Sequence, residues 1–146
     1  MALKKPLVLG SDGSIEQLQA GDELDIDLSG AGGGGDTIQM VLGETITTNS
    51  VVSVDASGAI NADKDDANKV RVIGFATASG NAGNSISVRV SAQQGGFSGL
   101  TAGSPVFLDV AGAITQTTPT SGYAVRLGVA LSATDLLVEI NQPIKL

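Results

Sequence analysis

The chain has 146 residues and a formal net charge of −7, with eight Lys and Arg against fifteen Asp and Glu and no Cys or His. Without Cys there are no disulfides or thiolate sites, and without His the commonest general base, the Ser-His and Cys-His pairs and ordinary zinc sites are removed. The few basic residues are scattered, which argues against nucleic acid or an anionic membrane as a partner, because clustered cations supply most of the affinity for phosphate.

Aromatic residues make up 3% of the chain and Gly accounts for 20 residues. A core must therefore rest on Val, Ile, Leu and Ala. Such a composition predicts strands joined by tight turns.

Residues 1–28 read as an extended N-terminal arm. Lys4 and Lys5 precede an apolar run too short for a signal peptide. No segment approaches membrane-spanning length. Leu7-Val8-Leu9 predicts a short strand, stopped by the turn cluster Gly10-Ser11-Asp12-Gly13. Ser14 and Gln17 stand three apart, as in a capping box, and predict a helical turn over residues 14–20. Leu24, Ile26 and Leu28 alternate with Asp25 and Asp27, the period-2 mark of a half-buried strand. The arm needs something else to pack on.

Residues 29–36, SGAGGGGD, read as a flexible linker, since a glycine run loses the most entropy on ordering. The run from Gly30 to Gly35 satisfies the letter of the dinucleotide fingerprint G-x-G-x-x-G. That motif needs a buried strand before it and a helix after it. Here acidic LDIDLS precedes and strand-like TIQMVL follows, so the linker reading stands.

Residues 37–146 form a β-domain. Strands are predicted near residues 38–42, 51–55, 59–62, 70–78 and 85–91, then near 105–109, 113–116, 124–131 and 136–141. Asp55-Ala56-Ser57-Gly58 and Asp109-Val110-Ala111-Gly112 sit between apolar runs. Asp opening and Gly closing a four-residue turn predicts a type I hairpin at each. Pro105 has no N–H and should start or edge its strand.

The domain contains an internal echo. Residues 46–60, ITTNSVVSVDASGAI, recur 54 positions later as residues 100–114, LTAGSPVFLDVAGAI. The same offset aligns Ile73-Gly74-Phe75-Ala76 with Leu127-Gly128-Val129-Ala130. The repeating units span about residues 43–92 and 97–142. What recurs is a pattern of strands and turns with no reactive residue in it. The expected fold is all-β: a small antiparallel β-barrel or sandwich made of two related halves, each covering the other's open edges, preceded by the arm.

Candidate chemistry is sparse. Asp22, Glu23, Asp25 and Asp27 lie in the arm, and Asp63, Asp65 and Asp66 lie in NADKDDANK. All occupy polar stretches where carboxylates are normally solvated. Residues 63–68 lack the spacing and the distal Glu of a calcium loop. No catalytic residue, cofactor or metal is expected. Phe97, in the glycine bed joining the halves, reads equally as a contact residue or as a plug for the barrel end. Tyr123 reads as structural. Arg71, Arg89 and Arg126 fall inside predicted strands, on a wet face or at a subunit interface.

Residues 96–146 resemble the C-terminal part of a broad class of tailed-phage virion proteins. The shared pattern is G-L-T-x-G-x-P-V-[YF]-L at residues 99–108, G-x-[IL]-T at 112–115, V-x-R-[IVL]-G-x-A, which residues 125–130 approach as V-R-L-G-V-A with no residue between Val125 and Arg126, and L-L-V at 136–138. The opening KKPLVLGSDGSIEQLQAGDELD is similar to the start of phage tail, fibre and head-decoration proteins. The two stretches together cover about half of the chain.

The resemblance implies a capsid decoration (cement) or head-fibre protein: a non-enzymatic virion structural protein on the capsid surface, made in the host cytoplasm. It further implies a homotrimer whose partner is the major capsid protein. The arm would then make the attachment, through Leu3, Pro6, Leu7, Val8, Leu9, Ile15, Leu18, Leu24 and Ile26. Multivalent attachment would let weak arm contacts add up. A tail, neck or fibre-tip component, possibly one that binds carbohydrate or a receptor, is the alternative. The chain has no long fibre shaft, which favours the capsid. Glycan sites usually want exposed aromatic rings, and only Phe75, Phe97, Phe107 and Tyr123 are present.

Overall fold

The computed structural model describes Leu7–Leu9, Ile15–Gln17 and residues 36–146. The chain divides into two compact units, Met1–Gly33 and Gly34–Leu146.

In the first unit, β1 (Leu7–Leu9) pairs antiparallel with β2 (Ile15–Gln17), Leu7 against Gln17 and Leu9 against Ile15. Strand β2 corrects the expected helical turn over residues 14–20. An isolated helical turn fixes several residues for one hydrogen bond, whereas pairing with β1 supplies bonds along the ladder. The turn expected at residues 10–13, the strand expected around Leu24, Ile26 and Leu28, and the glycine run at 30–35 lie outside the described residues.

The second unit is all-β. In chain order its strands are β3 (Thr37–Val41), β4 (Val51–Asp55), β5 (Gly58–Asn61), β6 (Gly74–Ala76), β7 (Ser85–Arg89), β8 (Ala92–Gln94), β9 (Pro105–Leu108), β10 (Ile114–Thr115), β11 (Tyr123–Ala124), β12 (Arg126–Ala130), β13 (Leu136–Val138) and β14 (Ile144–Lys145). They form two five-stranded antiparallel sheets, β3-β7-β6-β4-β5 and β10-β9-β12-β13-β8, and a two-stranded ribbon, β11-β14. Neither sheet closes into a barrel. One parallel bridge, Leu42 to Ala59, draws the edges of the first sheet together at one end.

The two sheets are copies of one another. Val51 pairs with Phe75 and Val52 with Gly74 between β4 and β6. Pro105 pairs with Val129 and Val106 with Gly128 between β9 and β12. Each residue of the second set is its counterpart 54 positions on. The turns match as well. The Asn49 N–H donates to the Ala76 carbonyl at 2.8 Å, and the Gly103 N–H donates to the Ala130 carbonyl at 2.7 Å. Asn49 and Gly103 both take a left-handed conformation, φ 68° and 81°.

The copies diverge after this motif. Phe75 and Ala76 pair with Arg89 and Val88 on β7, while Val129 and Ala130 pair with Leu137 and Leu136 on β13. The second connection is six residues shorter, which replaces the glycine- and asparagine-rich turn at residues 78–84 by the compact turn at 132–135.

Most predicted strands appear within a residue or two of their expected limits. The run at 70–78 is a strand only at Gly74–Ala76. The run at 124–131 is split, because Tyr123 and Ala124 turn aside to pair with Lys145 and Ile144, while β12 pairs with β9 and β13. Strands β8 and β14 were not anticipated, being short and without a hydrophobic alternation. Both Asp-to-Gly turns join hairpins. The second departs from a simple type I turn: Val110–Gly112 forms a single 3-10 turn with Ala111 at φ 51°. Pro105 opens its strand, as its missing N–H requires.

Two apolar clusters hold the unit together. Val51 and Phe75 of the first sheet pack with Val106, Leu108, Ala130 and Leu136 of the second. On the other side of the first sheet, Val52, Ala76 and Val88 pack under Leu42, Ile46 and Ile86. Both faces of β4 are thus buried, which explains its unbroken apolar start, Val51-Val52.

Candidate functional site

Of the residues expected to form an attachment site, Leu7, Val8 and Leu9 lie on β1 and Ile15 lies on β2. Leu3, Pro6, Leu18, Leu24 and Ile26 lie outside the described residues. The β1–β2 register places Leu9 opposite Ile15.

In the β-domain, residues 63–68 form a polar loop with hydrogen bonds of its own. The Asp65 N–H donates to Asp63 Oδ1 at 2.9 Å, and the Asn68 N–H donates to Asp66 Oδ1 at 2.9 Å. Asp63 Oδ2 also accepts from the Ala111 N–H at 3.2 Å, which ties the loop to the turn of the second half. Lys64 pairs with Asp65 at 3.0 Å, the one ion pair among the described residues. Asp63 and Asp66 each accept a hydrogen bond from the backbone, the ordinary work of Asx residues in turns. No group of three or more potential metal ligands occurs among the described residues.

The described residues line at least two clefts. The larger, about 520 Å³, is lined by Val72, Ile73, Val90, Ile140 and Pro143, with Arg71, Asn141 and Gln142 as its polar groups. Its one charged group is a guanidinium, a donor suited to binding and positioning. The smaller, about 240 Å³, is lined mainly by hydroxyls from residues 115–121, with Lys64 and Asp109.

The four aromatic residues serve the fold. Phe75 is fully buried. Phe97 is half-buried and meets Phe75 edge to face, ring centroids 5.7 Å apart at 85°, so it plugs the core from the segment joining the halves. Tyr123 is half-buried against the same cluster, and Phe107 is half-buried on β9.

The arginines differ from one another. Arg71 is exposed outside any strand, and its carbonyl accepts from buried Ser53 Oγ at 2.9 Å. Arg126 is exposed at the start of β12. Arg89 on β7 donates through Nε to Gln94 Oε1 at 2.9 Å. Gln94 Nε2 in turn donates to Asn49 Oδ1 at 2.6 Å. Gln94 is only 7% exposed. This buried amide lies on β8 of the second sheet and ties it to two residues of the first half. No periodicity or motif in the sequence marks Gln94, because its role depends on which strands become neighbours.

Asp55 has its carboxyl pKa lowered below the ordinary value of 3.8, chiefly by the hydrogen bond from the Ser57 hydroxyl and then by the Ser57 N–H. It acts as the anchor of the β4–β5 turn.

Glycines and apolar residues of the pattern over residues 99–138 occupy scaffold positions. Gly99, Gly103 and Gly112 adopt positive φ. Val106, Leu108, Val125, Leu127, Leu136 and Val138 are buried. Neither a scan against protein-family models nor a search of curated proteins finds a match to this chain.

Proposed function

We propose that this protein is a non-enzymatic structural component of a phage virion, which decorates the capsid exterior, stabilises it, and is held there by its N-terminal arm. The observation that carries the reading is the virion-like signature over residues 99–138, in which the glycines adopt special backbone conformations and the aliphatic residues fill the core. A signature of this kind encodes a β-unit that makes shape. The unit is duplicated in residues 37–146, whereas the arm, residues 1–28, has no copy. Attachment is therefore assigned to the arm, with the major capsid protein as partner and a homotrimer as the assembled form. Several arms acting together would raise the effective concentration of each at its site.

Co-sedimentation with purified capsids tests the reading. The protein is expected to bind mature capsids and to raise the temperature at which they release DNA. Failure to bind capsids or to co-sediment with virions overturns it. Gold label on tails or fibre tips instead of heads would favour the tail reading.

A further inference from the structure

The two halves differ in what runs beside the start of β6 and of β12. In the second half the chain continues past β13 alongside β12. The Glu139 N–H donates to the Leu127 carbonyl at 2.8 Å, and the Asn141 N–H donates to the Arg126 carbonyl at 2.9 Å. The counterparts of Arg126 and Leu127, 54 positions earlier, are Val72 and Ile73. Their carbonyls accept no backbone hydrogen bond among the described residues. The reason lies in the chain path after β7. The Val90 N–H donates to the Asp36 carbonyl at 2.8 Å. Ala92 then takes a left-handed φ of 66°, and β8 pairs with β13 of the other sheet. The place that residues 139–141 fill in the second half is thus left open in the first.

That open place is the larger cleft. Arg71, Val72, Ile73 and Val90 line one side of it, and residues 140–143 line the other. We infer that the cleft is a docking site for an extended peptide segment of a partner protein, which adds as a strand along Val72 and Ile73 and sets a carboxylate on Arg71. Three observations select this occupant. First, the second half shows the equivalent backbone accepting a strand, and main-chain pairing of this kind is how an open strand edge captures a peptide. Second, Arg71 is the one charged group of the cleft. It is exposed and forms no ion pair among the described residues, so a carboxylate complements it. Third, residues 139–141 are bonded within their own copy, so the strand comes from a different protein. The volume of about 520 Å³ suits a short peptide. The inference goes beyond attachment by the arm and does not rest on it.

The probe is a synthetic copy of residues 137–142, LVEINQ, capped at both ends. It should be titrated, to about 1 mM, into the isotope-labelled full chain and followed by nuclear magnetic resonance. Binding is expected to shift the carbonyl-carbon resonances of Val72 and Ile73. Methylating the probe's two donor nitrogens, at the copies of Glu139 and Asn141, should abolish binding, since no N–H remains to pair there. Arg71→Gln should weaken binding about tenfold, as should Gln in place of the probe's Glu. The two changes together should cost little more than either alone, because they remove one ion pair. Arg71 is exposed, so its loss leaves the core intact. Absence of binding, shifts at Arg126 and Leu127 instead, or binding indifferent to methylation or to Arg71→Gln overturns the proposal. Shifts at Val72 and Ile73 that appear on concentrating the protein alone would put a second copy in the site, and overturn it too.

Discussion

Gly74 and Gly128 occupy the same place in the two halves and face the same obstacle. A β-carbon on Gly74 would lie 2.1 Å from the Arg89 carbonyl oxygen, and one on Gly128 would lie 1.8 Å from the Leu137 carbonyl oxygen. Arg89 and Leu137 are themselves counterparts, each opposite the residue that follows the glycine. The backbone of a neighbouring strand thus runs through the space a side chain would need. A carbonyl held in a ladder cannot rotate away as a flexible side chain can.

Gly128→Ala is therefore expected to lower unfolding stability by about 3 kcal/mol, at the upper end for overpacking, because the clash is with backbone. Gly74→Ala should cost less, since Gly128 also holds a φ of 149° that a side chain rarely adopts and Gly74 meets the crowding alone. Urea denaturation of the two variants checks this.

Gly103 separates strain from crowding. It sits at φ 81° with open space where a β-carbon would go. Gly103→Ala is expected to cost only about 1 kcal/mol, the left-handed penalty alone. Gly103→Asn should cost less, since Asn tolerates that conformation and already holds the matching position as Asn49. Thermal melts of the pair read the difference.

Gln94→Ala removes the acceptor for Arg89 Nε and the donor to Asn49 Oδ1. Each partner is part-buried, so an unmade bond has a real desolvation cost. The expected loss is about 1–3 kcal/mol. Hydrogen exchange should speed up first along β8, whose neighbour in the sheet is β13 alone.

Asp55 gives a pH dependence of definite sign. Its carboxyl is held below 3.8 by Ser57 in the folded state. The unfolded chain therefore binds this proton more readily than the folded one. The contribution is fully present above the ordinary carboxylate value and is lost as the pH falls through the lowered folded value. Asp55→Asn should flatten the acid limb of the stability curve below about pH 4. Its effect at pH 7 should be small, since the group is exposed. Chemical denaturation at pH 7 and pH 3 measures both.

Much of the β-domain was legible in the sequence because its signals are local. Apolar runs between turn signals marked the strands, and the Asp-to-Gly tetrads marked both hairpins. The 54-residue offset proved to be a shared pairing register. The candidate sites were less legible. Gln94 is a polar residue in a polar stretch, and its burial comes from three segments distant in sequence. The helical reading of residues 14–20 failed because a capping-box spacing is weak evidence in a segment whose β pairing partner, Leu7–Leu9, stands just upstream.

The sequence by itself determined that this is an all-β chain of two like halves. Strand periodicity, turn residues and self-similarity are properties of neighbouring residues, and they survive without knowledge of contacts. Only the tertiary structure decided that the halves are not used alike. Val51 and Phe75 are covered, while Pro105 and Val129, their copies, face outward. Two units stacked on one another bury unlike faces, and no pattern within either copy says which face will be left open.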